Sequence, residues 1–319
     1  MRTALRIVVM VLLLPAFLAT ALSAAELGES LRKQNFDADP HWQASHNRIV
    51  PERVPTVVQD FGYSPTNFAG RAGGEIGGFV TRASRPAFFA SWIPKKSLGD
   101  RLSASGSFCF EKTSAGSGLF FGWFLSQQPG ASGRPLSSLG LHFDAESKGA
   151  RLAIRLLTHN NQSAGTFLTK YEQYRTLDKK EEARPTPIRH GVKYRFHMEY
   201  DPAANDGSGR VTCTVKGNSA EPGDWEGQTF AFDVPANNRA DGATFDRFGI
   251  MNMTKAGGTS QVYFDDLEID GDAVDFTKDP QWHGVGNRDK YEDRVQVGAR
   301  LRLQPEDKFC RRDGRRDRR

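Results

Sequence analysis

Alternation of apolar and polar side chains with a period of two dominates the chain. From Val192 to Tyr200, the residues Val192, Tyr194, Phe196, Met198 and Tyr200 alternate without a break with Lys193, Arg195, His197 and Glu199. One face of a strand is therefore buried and the other wet. Asn205, Asp206 and Gly207 precede the run RVTCTV, which predicts a hairpin. From Ser103 onward, further short runs of β type recur between Gly-rich turns: SGSFCFE, GLFFGWF, SLGLHFD, RLAIRLL, GTFLTKY, QTFAFDV, FDRFGIMN and QVYFDDLEI. No stretch after residue 30 holds a helical period with caps. The charged run Leu177–Pro187 has no apolar face and predicts an exposed loop. This pattern predicts an all-β fold, an antiparallel β-sandwich. About ten or more strands in about 240 residues fit a jelly roll better than an immunoglobulin-type sandwich.

The N-terminus has a different pattern. Arg2 and Arg6 precede an apolar run, Ile7–Leu22, interrupted by Pro15 and Thr20, and small residues follow at Ser23, Ala24 and Ala25. This reads as a secretory signal peptide, residues 1–25, cleaved near Ala25–Glu26. No Cys directly follows the apolar run, which argues against a lipoprotein, and no later segment is apolar enough to span a bilayer. A secreted or periplasmic protein with no membrane span after cleavage is expected. In such a compartment Cys109 and Cys213 either form one bridge or remain two separately buried thiols.

QVYFDDLEIDG, closing a series of short strands, resembles the last strand of concanavalin A-like, laminin G-like jelly-roll domains of secreted bacterial proteins. The resemblance covers roughly Leu31 to Gly271, and there is a looser likeness to the secreted 3-keto-disaccharide hydrolase family. It implies the sandwich. Such folds host lectins, glycan-binding modules, glycosidases, lyases and adhesion domains, so function has to be sought in particular residues.

Charge and repetition change the domain picture. The formal net charge is +5, but Gly298–Arg319 alone holds nine basic and four acidic residues. The other 297 residues balance at 34 of each sign, which argues against a nucleic-acid partner. FDADPHWQASHNR (Phe36–Arg48) recurs 240 residues later as FTKDPQWHGVGNR (Phe276–Arg288), with six of thirteen positions identical. A period this long indicates tandem copies of a whole domain. One legal codon choice for Arg300–Arg319, read one nucleotide late, spells DFGYSPKTNFAGGTAGEIGG. With one inserted Lys this matches sixteen of the nineteen residues of DFGYSPTNFAGRAGGEIGG (Asp60–Gly78). The expected organisation is a signal peptide (1–25), a jelly-roll domain (26–273), the start of a second tandem copy (274–299), and an out-of-frame, disordered tail (300–319). The piece after Asp275 is expected to lack a core of its own and to be ordered only where it pairs with the first domain.

Candidate chemistry is sparse. DFGYSPTNFAG and GEIGG place Asp60, Tyr63, Asn67 and Glu75 among turn formers, as a polar site or as the structural opening of the fold. Trp92 and Trp123 are candidate sugar-stacking platforms, and Trp42 is expected to fill a groove, with Arg48 stacking on it or pairing with Asp37 or Asp39. Asp265 and Asp266 are candidate calcium ligands with loop carbonyls. Glu268, Asp270 and Ala273 fall one carboxylate short of the Glu-x-Asp-x-x-Glu pattern of sandwich endoglucanases, so no catalytic pair is assigned there. The seven His show no metal-ligand spacing, and no nucleophile elbow, phosphate loop or dinucleotide fingerprint occurs. The expected function is an exported, non-catalytic module that binds polysaccharide or cell-surface glycan, truncated from a tandem-domain protein. The alternative is a carbohydrate-active hydrolase or lyase with acid and base groups among Asp60, Tyr63, Glu75 and Asp144.

The coding DNA downstream of codon 299 is expected to hold, one base out of register, an open frame that resumes DFGYSPKTNFAGG-type sequence at the twelve-residue spacing that separates Arg48 from Asp60. Resequencing that locus checks it. Codons whose shifted frame spells no such motif would make the tail a genuine cationic arm.

Overall fold

The computed structural model describes residues 37–38, 40–43, 54–126, 135–168, 188–217 and 227–293. The signal peptide, the Leu177–Pro187 loop and the tail after residue 293 lie outside them. The chain divides into two units, Met1–Ile49 with Ala299–Arg319, and Val50–Gly298. All of the described strands belong to the second.

They form two antiparallel sheets of a jelly-roll sandwich. The nine-stranded sheet runs in the order β11 (Gln228–Asp233), β10 (Arg210–Gly217), β9 (Lys193–Asp201), β4 (Leu102–Thr113), β13 (Thr259–Ile269), β2 (Glu75–Thr81), β1 (Thr56–Ser64), β16 (Arg288–Glu292), with the two-residue β14 (Asp272–Ala273) beside β13. The seven-stranded sheet runs β15 (His283–Val285), β3 (Phe88–Ser97), β12 (Thr244–Asn252), β5 (Ser117–Phe124), β6 (Ser138–Glu146), β7 (Gly149–Leu157), β8 (Ser163–Phe167). A six-residue helix, α1 (Ala236–Asp241), precedes β12.

The strands follow their side-chain pattern. In β9 the alternation is kept residue by residue, with Tyr194, Phe196, Met198 and Tyr200 buried between exposed neighbours. All eight residues of β5 are buried, because both of its faces are covered. Phe121 and Trp123 face the core between the sheets, whereas Phe120 and Phe124 join Phe88, Ala90, Met251 and Met253 in a second cluster. Across the sandwich Phe121 of β5 stacks on Phe264 of β13, with ring centroids 3.9 Å apart and planes 12° from parallel. Phe108, Phe143 and Phe196 surround this stack edge-on or tilted.

Three strands, β1, β2 and β3, precede Ser103, where the alternation becomes legible in the sequence. Their pairing relies on glycine. Gly77 of β2 lies opposite Gly62 of β1 and Tyr263 of β13. A Cβ on Gly77 would sit 2.1 Å from the Val262 carbonyl oxygen and 2.9 Å from the Tyr263 ring. Only glycine allows that approach, and glycine also hides the strand from a hydrophobic-period reading.

The segment that repeats Phe36–Arg48 is built into the sandwich. β15 pairs with β3 and β16 with β1, so Phe276–Glu292 closes one edge of each sheet. Phe276 is buried, and Trp282 packs on Phe89 and Phe276. Cys109 and Cys213 are both buried free thiols.

Phe264→Ala removes the centre of the inter-sheet stack and is expected to cost about 3–5 kcal/mol in chemical denaturation. Val58→Ala, at an exposed position of β1, is expected to stay within about 0.5 kcal/mol of the parent.

Candidate functional site

The residues proposed from sequence divide between the two sheets. Asp60 lies on the outer face of the nine-stranded sheet. There the paired glycines Gly62 and Gly77 leave a floor without side chains, and a shallow cavity of about 140 Å³ opens over it. Asp60, Tyr63, Phe79, Tyr263 and Arg288 line this cavity. Phe79 is 43% exposed, a large apolar ring left in water. Arg288 arrives from β16, opposite Asp60 in the ladder. Its guanidinium lies over Gly62, where an added Cβ would come within 3.3 Å of Nη2, and that nitrogen donates to the Tyr63 carbonyl oxygen at 3.1 Å. Tyr263 is held by two neighbours: Gln261 Nε2 donates to its hydroxyl at 3.0 Å, and its ring stacks on Phe68 at 4.7 Å. Burial raises its hydroxyl pKa. Tyr63 reaches the cavity rim while its ring packs against the core.

Sequence reasoning found Asp60 and Tyr63 and missed Phe79, Tyr263 and Arg288. A Phe in a Gly-rich strand and a Tyr in the last long strand look like ordinary core residues. Arg288 is 228 positions from Asp60, and only the β1–β16 pairing joins them.

Glu75 and Asn67 have a different role. The Glu75 carboxylate is buried and accepts from the Thr66 hydroxyl and from the backbone N–H groups of Phe68 (3.0 Å) and Ala69 (2.7 Å). It pins the loop between β1 and β2 onto the sheet. Asn67 offers its backbone carbonyl, which accepts from Lys193 Nζ at 3.0 Å, and the same ammonium donates to the Gly70 carbonyl. These are fastenings of the loop, and they leave neither side chain facing the cavity.

Under that loop lies Asp265. A Cβ on Gly70 would collide with its carboxylate, so only glycine passes over it. Burial, together with the charges of Asp266 and Glu75, raises the Asp265 pKa from 3.8 to about 6, against the N–H donated by Asp266 and the nearby Lys193. Asp266 sits at a positive φ of 52° in a bulge of β13, and its carboxylate accepts from Ser107 Oγ at 3.4 Å. Among the described residues no three His, Cys, Asp or Glu side chains are grouped as metal ligands.

Of the two aromatic platforms, one is corrected and the other lies apart from this cavity. Trp123 is fully buried and meets Phe248 edge-on at 5.0 Å, so no sugar reaches it. Its run, Leu119–Leu125, is apolar because the strand is covered on both faces. Trp92 is 66% exposed but belongs to β3 of the other sheet, where the Arg247 guanidinium sits 2.9 Å from its ring centroid and His283 stacks at 5.3 Å. It does not share a site with Asp60. Trp42 is exposed.

The proposed acid–base set does not converge either. Asp144 lies on β6 of the seven-stranded sheet, ion-paired to Arg82. Burial opposes its charge, and His142, Arg82 and Arg151 outweigh that, holding its pKa below the ordinary value. Asp60 faces out from the opposite sheet, Tyr63 packs inward and Glu75 is engaged by the loop. Glu268 and Asp270 point outward at the end of β13, and Asp270 accepts the Ser103 N–H at 2.9 Å.

No family model matches the chain, and no curated protein matches it. Solved structures to which it is similar include the alginate lyase from Klebsiella pneumoniae, at 10% identity and TM-score 0.35, covering 53% of this chain and 59% of that one. An alginate lyase from Pseudomonas aeruginosa aligns at 9% identity and TM-score 0.33, over 65% of this chain and 85% of that one. Domains LG4-5 of the mouse laminin alpha1 chain align at 10% identity and TM-score 0.33, over 65% and 44%. The chain thus spans less than two thirds of the length of the Klebsiella lyase and of the laminin domain pair.

Asp265 sets a pH dependence of stability. Its folded pKa of about 6 lies above the ordinary 3.8, so between those values the folded chain binds the proton more tightly than the unfolded one. Stability is expected to fall as pH rises through that window. Asp265→Asn is expected to flatten the slope, read as the denaturation midpoint against pH.

Proposed function

We propose that the mature chain is an exported, non-catalytic module that binds a polysaccharide or cell-surface glycan through the cavity of the nine-stranded sheet. The observation that carries this reading is the constellation over the Gly62–Gly77 floor: an exposed Phe79, a fixed Tyr263, and the charged groups of Asp60 and Arg288 side by side. A sugar ring presents an apolar C–H face and a rim of hydroxyls. Aromatic rings meet the first, and a carboxylate with a guanidinium meets the second. The cavity is smaller than the roughly 300–1,000 Å³ typical of sites that engulf a small molecule. It suits one residue of a chain lying across the sheet.

The same features speak against chemistry at this site. Asp60 is exposed, the other carboxylates weighed as its partners are engaged elsewhere, and glycoside hydrolysis needs two flanking carboxyl groups about 5–10 Å apart. A β-elimination would instead use Tyr263 and Arg288, the first as proton carrier and the second on a uronate carboxylate. Tandem copies of a weak module would gain avidity without any new contact.

Affinity electrophoresis of the mature protein in gels containing neutral and acidic polysaccharides tests the proposal. Retardation by at least one polysaccharide is expected, with Phe79→Ala and Arg288→Ala each weakening binding about tenfold while unfolding with the parent midpoint. No retardation on any polysaccharide, or equal retardation of both variants, would remove the binding reading. Release of unsaturated uronate ends from an acidic polysaccharide would replace it with the lyase.

A further inference from the structure

The cavity over the Gly62–Gly77 floor holds two opposite charges that do not neutralise each other by contact. Arg288 faces Asp60 across the β1–β16 ladder, yet its Nη2 donates to the Tyr63 carbonyl oxygen, and among the described residues no ion pair closes between the two side chains. The backbone that carries Arg288 is fixed. It belongs to a strap, Phe276–Glu292, whose strands β15 and β16 close the edges of β3 and β1. Asn287 ties the strap to Phe61 twice: its backbone carbonyl accepts the Phe61 N–H at 2.9 Å, and its Nδ2 donates to the Phe61 carbonyl at 2.6 Å. A carboxylate and a guanidinium are thus held on adjacent strands, one an acceptor only and the other a donor only. Two neighbouring hydroxyls of a sugar can meet both.

The rest of the wall is negative. Burial raises the Tyr263 pKa first, and the charges of Glu75, Glu111 and Asp60 act in the same direction, against the bond from Gln261. The hydroxyl therefore stays protonated. Its oxygen accepts from Gln261 Nε2, which leaves its proton for a ligand oxygen. Glu111 stands on β4 beside β13 and accepts from Cys109 Sγ at 3.3 Å. The cations of this face lie elsewhere. Lys193 donates to the carbonyls of Asn67 and Gly70. Lys112 and Lys290 are exposed, opposite Gln261 and Val58, and are not part of the lining. Among the described residues Arg288 is the one cation that lines the cavity.

A uronate brought to Arg288 would set its carboxylate beside Asp60 and within the field of Glu75 and Glu111. One guanidinium does not balance those three, and like charges brought together at a contact suppress binding. A neutral sugar meets no such opposition. Its C–H face lies on Phe79, two hydroxyls reach Asp60 and Arg288, and a third oxygen takes the Tyr263 proton. We propose that the cavity selects an uncharged sugar and rejects uronates, with Asp60 as the residue that decides. This selection rests on the glycan-binding reading above and narrows it.

Affinity electrophoresis of the full mature chain tests it, in gels of neutral polymers (glucomannan, xyloglucan and galactan), acidic ones (alginate and polygalacturonate) and the cationic glycol chitosan. Each gel is run at low salt and at about 0.5 M salt. Only the retardation that Phe79→Ala removes is counted, so that polyanions held by the basic residues of Gly298–Arg319 drop out. At least one neutral polymer is expected to give counted retardation that salt leaves unchanged. The acidic polymers and glycol chitosan are expected to bind at least about tenfold more weakly. Asp60→Asn, isosteric and at an exposed position, is expected to weaken binding of the neutral polymer about tenfold and to raise the counted binding of polygalacturonate. Counted retardation by an acidic or cationic polymer that equals or exceeds the best neutral one would overturn the selection and leave a glycan site standing. So would an Asp60→Asn variant that binds the neutral polymer like the parent. No counted retardation in any gel would remove the site and its selection together.

Discussion

The structure depends on how the free side of β1 is satisfied. An edge strand presents a row of unpaired N–H and C=O groups, and a sandwich leaves such rows wherever a sheet ends. Here the row on β1 is met by β16 and the row on β3 by β15, both supplied by one segment of seventeen residues from the far end of the sequence. That pairing brings Arg288 over Gly62. Without it the cavity would have an aromatic wall, a carboxylate and no cation. The candidate site is thus a consequence of edge protection.

Glycine is the second constraint and acts in the same place. Where β1, β2 and β13 cross the cavity floor, Gly62 and Gly77 let the Tyr263 ring and the Arg288 guanidinium lie against backbone. The cost is conformational entropy in the unfolded chain and lost packing in the strand. The neighbouring loop offsets part of it, because Glu75 gathers three donors and Lys193 two carbonyls. Two carboxylates near each other on this face therefore differ in kind. Glu75 is surrounded by donors, whereas Asp265 is covered by the same loop with one backbone N–H and the charges of Asp266 and Glu75 set against it.

The sequence was legible where side chains repeat with the pleat. β9 and β10 could be read directly, and so could β4 to β7 and β12 to β13, because their alternation or continuous apolar runs report burial. The sandwich class followed from those strands. β1 to β3 could not be read this way, since glycine at Gly62, Gly77 and Gly78 and Pro94 within β3 interrupt the period. Trp123 misled for the opposite reason: an aromatic in a Gly-flanked run looks like a platform until both faces of β5 are seen to be covered. The repeat was visible as sequence, but what Phe276, Trp282, Asn287 and Arg288 do became clear only when their segment was found paired with β1 and β3.

Because Arg288 both lines the cavity and belongs to the strap, occupancy of the two is linked. Any ligand that engages the guanidinium binds only the strapped state, and so stabilises that state by mass action, with the logarithm of one plus its concentration over its dissociation constant. Conversely, whatever frees the strap lowers the apparent affinity by the fraction of molecules left without a cation in the cavity. Edge closure alone needs a backbone and the Asn–Phe61 bonds, whereas the cavity needs the charge.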